Sequence, residues 1–162
     1  MMLRSMLAIA SCTFASLCLA DLQGQPLDKT CSMLNDTKLR AGQWTVYEDG
    51  REGCLSVVRP VSEGQPDGNE ISFLAEGKGG VATRVKLILN VASSSGEDAA
   101  KRELVKATKR LSVRALGRSI PHAFDEAIMH GTPIKLEVGS GQATLGRTTP
   151  SKGSYVLSVI ME

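Results

Sequence analysis

Eleven residues, Val81–Val91 (VATRVKLILNV), alternate so cleanly that they dictate a strand. Val85, Leu87, Leu89 and Val91 fall on one side, and Arg84, Lys86, Ile88 and Asn90 on the other, as a period of two requires. The period then changes. In Ser95–Arg118, Ala100, Leu104, Ala107, Leu111 and Ala115 fall within about 80° of arc at 100° per residue. A strand with one strongly apolar side, followed at once by a helix with a narrow apolar stripe, predicts that the helix lies back across the strand. The strand is then expected at the centre of a sheet.

The helix carries its own boundary signals. Ser94 and Glu97 fit a capping box, in which a hydroxyl and a carboxylate take up free amides of the first turn. Glu97 and Asp98 suit the positive end of the helix dipole, and Arg114 and Arg118 the negative end. Gly117 supplies the stop. Val113, Leu116 and Ile120 lie off the stripe and predict that the last turn packs on the following helix. That helix opens at Ser119-Ile120-Pro121 and closes at Gly131, with Ala123, Phe124, Ala127 and Ile128 as its core side.

Elsewhere the chain reads as strands and turns. Trp44–Tyr47 and Cys54–Val58 flank Asp49-Gly50, a hairpin signal, and Pro60 marks an edge. Residues 62–70 are turn chemistry. Ile71–Ala75 is a strand, and Glu76–Gly80 a glycine-rich turn. After the helices, Ile134, Leu136 and Val138 alternate with Lys135 and Glu137. Gly139-Ser140-Gly141 turns the chain into a strand over 142–148, and the last strand has Tyr155, Leu157, Val159 and Met161 on one side. Strands, two helices, strands, with hairpin-length links, predict an α+β fold: a mostly antiparallel sheet with two consecutive helices packed on one face.

The first twenty residues, MMLRSMLAIASCTFASLCLA, carry one arginine before a short apolar run that ends in small residues ahead of Asp21. That is the pattern of a cleaved signal peptide, 1–20, and it implies a periplasmic or secreted protein. Cys12 matches a lipobox in residue type, but the run before it is short and apolar sequence follows, so lipidation is not expected. No later stretch is long and apolar enough for a membrane span. Two cysteines remain beyond the leader, Cys31 and Cys54, and in an oxidising compartment an even count reads as one disulfide. It would tie an N-terminal segment, 21–42, to a single domain over 43–162. Residues 21–30 are expected to be flexible.

The function classes narrow by exclusion. One Trp, two Tyr and three Phe are too few for an aromatic platform for sugars or single-stranded nucleic acid. The formal net charge is only +2, and +1 without Arg4, which argues against nucleic acid. His122 and His130 are eight apart, not at the i, i+4 spacing of a helical metal pair. No metal and no cofactor are expected. Glu76–Gly80 lacks the spacing of a phosphate loop and precedes a strand. No G-x-S-x-G elbow occurs, and Gly139-Ser140-Gly141 is too short a match. A small hydrolase using His122 or His130 as base remains the alternative.

The remaining feature is charge. Lys101, Arg102, Lys106, Lys109, Arg110, Arg114 and Arg118 sit on one helix, most of them opposite its apolar stripe. Arg102, Lys106, Lys109, Arg110 and Arg114 are the candidates for binding an anionic envelope component or an acidic protein. The stripe is too rich in alanine to insert into a membrane, and a solvated face is the simplest reading of the charges. The pattern Trp44…Cys54, Val85–Val91, the Ala/Arg helix and Ile120-Pro121…Ala127-Ile128 resembles small exported proteobacterial proteins of unknown function, over about 44–128. The resemblance implies a periplasmic location and carries over no active-site residue. The sequence thus predicts an exported, non-catalytic binding or envelope-interaction domain.

Overall fold

The computed structural model describes residues 22–61 and 68–162, so the expected leader and most of the 62–70 turn lie outside it. The elements in chain order are α1 (Leu27–Cys31), β1 (Thr45–Val46), β2 (Glu52–Leu55), β3 (Arg59–Pro60), β4 (Glu70–Lys78), β5 (Val81–Val91), α2 (Glu97–Leu116), α3 (His122–His130), β6 (Ile134–Val138), β7 (Gly141–Ser151) and β8 (Ser154–Met161). The strands form one antiparallel sheet in the order β1-β2-β4-β5-β8-β7-β6, with β3 also pairing with β4. β5 is its middle strand, as its alternation predicts. Val85, Leu87, Leu89 and Val91 are buried, and beside them Phe73, Ala75, Leu157, Val159 and Leu145 complete the covered face.

Helix α2 crosses that face. All five residues of its predicted stripe, Ala100, Leu104, Ala107, Leu111 and Ala115, are buried. Helix α3 packs beside it, against α2 and β7, through Phe124 and Ile128. This is the α+β arrangement expected, with the helices on one side of the sheet. The other side, where Leu74, Lys86, Ile88 and Ile160 emerge, is only half covered.

Several local expectations change. The capping box does not form: α2 starts from Gly96 at φ +75°, and no side chain caps it. Glu97 faces Tyr155 and Lys101 instead, two strong donors that outcompete a backbone amide for its carboxylate. Val113 is half exposed, while Leu116 and Ile120 are buried, Leu116 beside the β6–β7 turn. There the Ser140 amide donates to the Leu116 carbonyl at 3.0 Å. Gly139, at φ +60°, lies so close to that carbonyl that a Cβ would stand 1.9 Å from its oxygen, so only glycine fits.

The glycine-rich turn is tighter than expected. Strand β4 runs on to Lys78, leaving Gly79-Gly80 as a two-residue hairpin turn with positive φ at both positions. The return strand of the first hairpin stops at Leu55 instead of Val58. Ser56 still pairs with Phe73, through its amide at 2.8 Å and its hydroxyl at 2.9 Å. Pairing resumes at Arg59, opposite Ile71. Three residues on this strand therefore span two on β4, which makes Val57-Val58 a β-bulge, and both valines are exposed.

The segment before β1 is part of the fold and not a loose tail. Leu22, Met33, Leu34 and Leu39 join the same core as the sheet and α2, because without them the covered face of β4 and β5 would stay wet. Cys31, at the end of α1, is bonded to Cys54 in β2, with Cα atoms 5.9 Å apart. Gln25 donates to the Arg114 carbonyl at 2.9 Å, closing the segment against the end of α2. Among the described residues no helix is long and apolar enough to cross a membrane.

Candidate functional site

The basic side of α2 divides in two. Towards its C-terminal end the charges are answered from elsewhere in the chain. Arg114 forms a two-pronged pair with Asp36, at 2.7 and 2.8 Å, and also donates to the Met33 carbonyl. That pair and its hydrogen bonds hold the Asp36 carboxyl down at about 2 and raise Arg114. Lys109 pairs with Asp125 of α3 at 2.6 Å, and Arg110 lies 3.9 Å from Asp36. Lys101 is not on the outer side at all: its side chain is 8% exposed and bonds Glu97 at 2.6 Å and the Met129 carbonyl at 2.9 Å.

Towards the N-terminal half, Arg102 and Lys106 are exposed and one turn apart on the same side of α2. They face a cleft of about 780 Å³ between α2, the turn at Asp36–Lys38 and strand β3, also lined by Arg59, Pro60, Val61, Ala99 and Glu103. A narrower recess of about 260 Å³ continues inward between Arg59, Leu39, Ala107 and Arg110. Lys38, Arg59, Arg102, Lys106 and Arg110 thus bring five cations to one depression. Among the described residues that line it, Asp36 and Glu103 are the only acids. Glu103 is kept ionised by Lys106 at 2.9 Å and Arg59 at 3.6 Å.

Two of these cations were not apparent from the sequence. Lys38 stands at φ 62°, the one described non-glycine residue with positive φ. That conformation costs about 1 kcal/mol or more, and it places the lysine on the cleft rim. Arg59 reads as an edge-strand residue, but the bulge at Val57-Val58 turns it to the helix side. In unbroken register it would oppose Glu70 and point to the open face; one extra residue sets it opposite buried Ile71. Its side chain is 22% exposed, and its Nε–H is buried without an acceptor among the described residues. A buried donor left unmet costs about 1–3 kcal/mol. Its separation from Glu103 is too long for a hydrogen bond.

Other candidate chemistry resolves differently. The Gly79 and Gly80 amides both donate to the Glu52 carboxylate at 2.8 Å, so this turn already holds an anion from its own chain. Those amides, Gly80 first, lower the Glu52 pKa. His122 is 82% exposed and faces Glu126 at 3.4 Å, and His130 is exposed at the far end of α3. The Ser140 hydroxyl donates to the Leu116 carbonyl at 3.4 Å. Glu97, Lys101 and Tyr155 form a buried polar group in which the Tyr155 hydroxyl donates to Glu97 at 2.6 Å, with Arg147 stacked 4.1 Å over the ring. Hydrogen bonds from Lys101 and then Tyr155 lower the Glu97 pKa. Burial pulls Lys101 down, but its bonds to Glu97 and Tyr155 outweigh burial and leave it raised. The members of this group satisfy one another. Among the described residues no group of three or more His, Cys, Asp or Glu side chains is placed to hold a metal ion.

No family model matches the chain, and no curated protein or solved structure does either.

Proposed function

We propose that the chain is an exported, periplasmic or secreted, non-catalytic binding domain whose cationic cleft takes the anionic group of an envelope component. One observation carries the reading: cations from three separate elements converge on one depression, whereas Lys109 and Arg114 of the same helix are held by Asp125 and Asp36. Fields from like charges lining a concave, partly apolar wall add, and they draw in an anion of opposite sign. The leader pattern of residues 1–20, the disulfide and the resemblance to small exported proteobacterial proteins support the location.

The reading narrows the five helix candidates to Arg102 and Lys106, joined by Lys38 and Arg59. It is tested by co-sedimentation of the oxidised protein with envelope fractions at low ionic strength. The wild type is expected to pellet and to be released by added salt. The double variant Arg102→Glu, Lys106→Glu is expected to lose at least about tenfold in affinity, and the distant Lys152→Glu to bind normally. Equal pelleting of wild type and double variant would overturn the reading.

A further inference from the structure

The cleft reading leaves the chemistry of the anion open, and the geometry around Arg59 narrows it. We infer that the recess binds the phosphate of a phosphomonoester, with Arg59 as its anchor. This inference rests on the cleft being the binding site and adds the ligand class.

Three observations combine. The first is the unused edge of Arg59. Among the described residues its buried Nε–H has no acceptor, and its Nη2 stands 3.6 Å from Glu103, beyond hydrogen-bond reach. Nε–H and a neighbouring Nη–H form one side of a planar fork, and that side matches two oxygens of a single oxyanion. The second is placement. Arg59 comes from β3, Lys38 from the turn before β1, and Arg102, Lys106 and Arg110 from α2, so cations from three elements line the recess and the cleft it opens from. A planar carboxylate offers two oxygens in one plane, whereas a tetrahedral phosphate presents oxygens towards all three. The third is charge. Among the described lining residues, Lys38, Arg59, Arg102, Lys106 and Arg110 against Asp36 and Glu103 leave an excess of three positive charges. A phosphomonoester at neutral pH carries close to two negative charges, a better match than the single charge of a carboxylate.

The bulge makes this a built arrangement. It keeps the arginine off the open face of the sheet, where the guanidinium would be fully solvated, and sets it under α2 beside Ala107 and Leu39. Partial burial weakens competition from water for the same donors.

The test follows the Arg59 Nε–H resonance by NMR while inorganic phosphate, and separately acetate, is added to the oxidised protein at low salt. Phosphate is expected to shift that resonance saturably and to bind at least about tenfold more tightly than acetate. Arg59→Lys keeps the charge but removes the fork, and is expected to weaken phosphate at least about tenfold. Two further arms distinguish the source of the ligand: glycerol phosphate in solution, and vesicles containing phosphatidic acid against vesicles of phosphatidylcholine alone. Binding in either arm through Arg59 supports the inference and says whether the phosphomonoester is free or a lipid headgroup. Acetate equal to phosphate, no shift at Arg59, or an Arg59→Lys variant that binds like wild type would overturn it. The wild-type titration stands even if the variant does not fold. Failure here with continued sensitivity to Arg102→Glu, Lys106→Glu would reject the phosphate assignment and leave the cleft reading in place.

Discussion

Three residues set the polar anchor of the fold. Glu97 and Lys101 come from the start of α2 and pair within it at 2.6 Å, and the Tyr155 hydroxyl of β8 donates to Glu97 at 2.6 Å, which joins the helix layer to the sheet. Tyr155→Phe keeps the ring under Arg147 and removes only the hydroxyl bond to a charged acceptor. It is expected to destabilise by about 1.5–3 kcal/mol at neutral pH, read from the urea midpoint. The Glu97 pKa is lowered in the folded state. Its contribution is therefore present above the unfolded value, near 4.3, and is lost as the pH falls through the folded one. The difference between wild type and Tyr155→Phe is expected to shrink in that acid window; a difference independent of pH would mean that Glu97 is not the partner that matters. The same residues show why side-chain pairing is hard to read locally. Ser94-x-x-Glu97 has the spacing of a capping box, but the winning donor is a tyrosine from the last strand. Likewise the partners of Arg114 and Lys109 are Asp36 and Asp125, which no helical period connects to them.

At the scale of elements, period was the reliable guide. The alternation of Val81–Val91 and the stripe of Ala100 to Ala115 both report burial, which is a property of one segment against one face. Positions decided by register were not legible. Nothing in Cys54–Pro60 alone shows that Val57-Val58 is a bulge, because the extra residue exists only relative to β4. The cleft depends on that bulge and on a left-handed Lys38, so the sequence pointed to α2 but not to the elements opposite it. The ordering of residues 22–30, expected to be flexible, is not legible for a similar reason. The few leucines there are too sparse for a period, and their burial comes from the face they cover. The disulfide was legible by counting, and its energetic role can be measured. With the bonded cysteines 23 positions apart, removing the bond by Cys31→Ala, Cys54→Ala is expected to cost about 3 kcal/mol in a urea melt. Reduction of the denatured wild type should raise its mass by two hydrogens, about 2 Da, and an unchanged mass would show that the thiols are free.

At the scale of the whole molecule, the covered face forms a single core from Leu22 to Met161, so the segment tied by the disulfide and the strands after the helices stabilise each other. The sheet is completed only through its middle. β5 has β4 on one side, joined by a two-residue turn, and β8 on the other, across both helices and two intervening strands. The first pairing is local and the second is among the longest-range in the chain. A growing or refolding chain therefore holds a β4–β5 hairpin whose most apolar strand has one bare edge until β8 arrives. During that interval the hairpin can pair with another copy of itself. Refolding by dilution is expected to lose yield as protein concentration rises through the micromolar range, with light scattering tracking the loss. Leu157→Ala, which weakens β8 at a fully buried position, is expected to worsen it. A yield independent of concentration would show that β8 docks before the edge can be used. If the chain is exported as proposed, this order has a counterpart in time: β8 emerges only after both helices and two further strands, and the edge of the central strand stays bare over that interval.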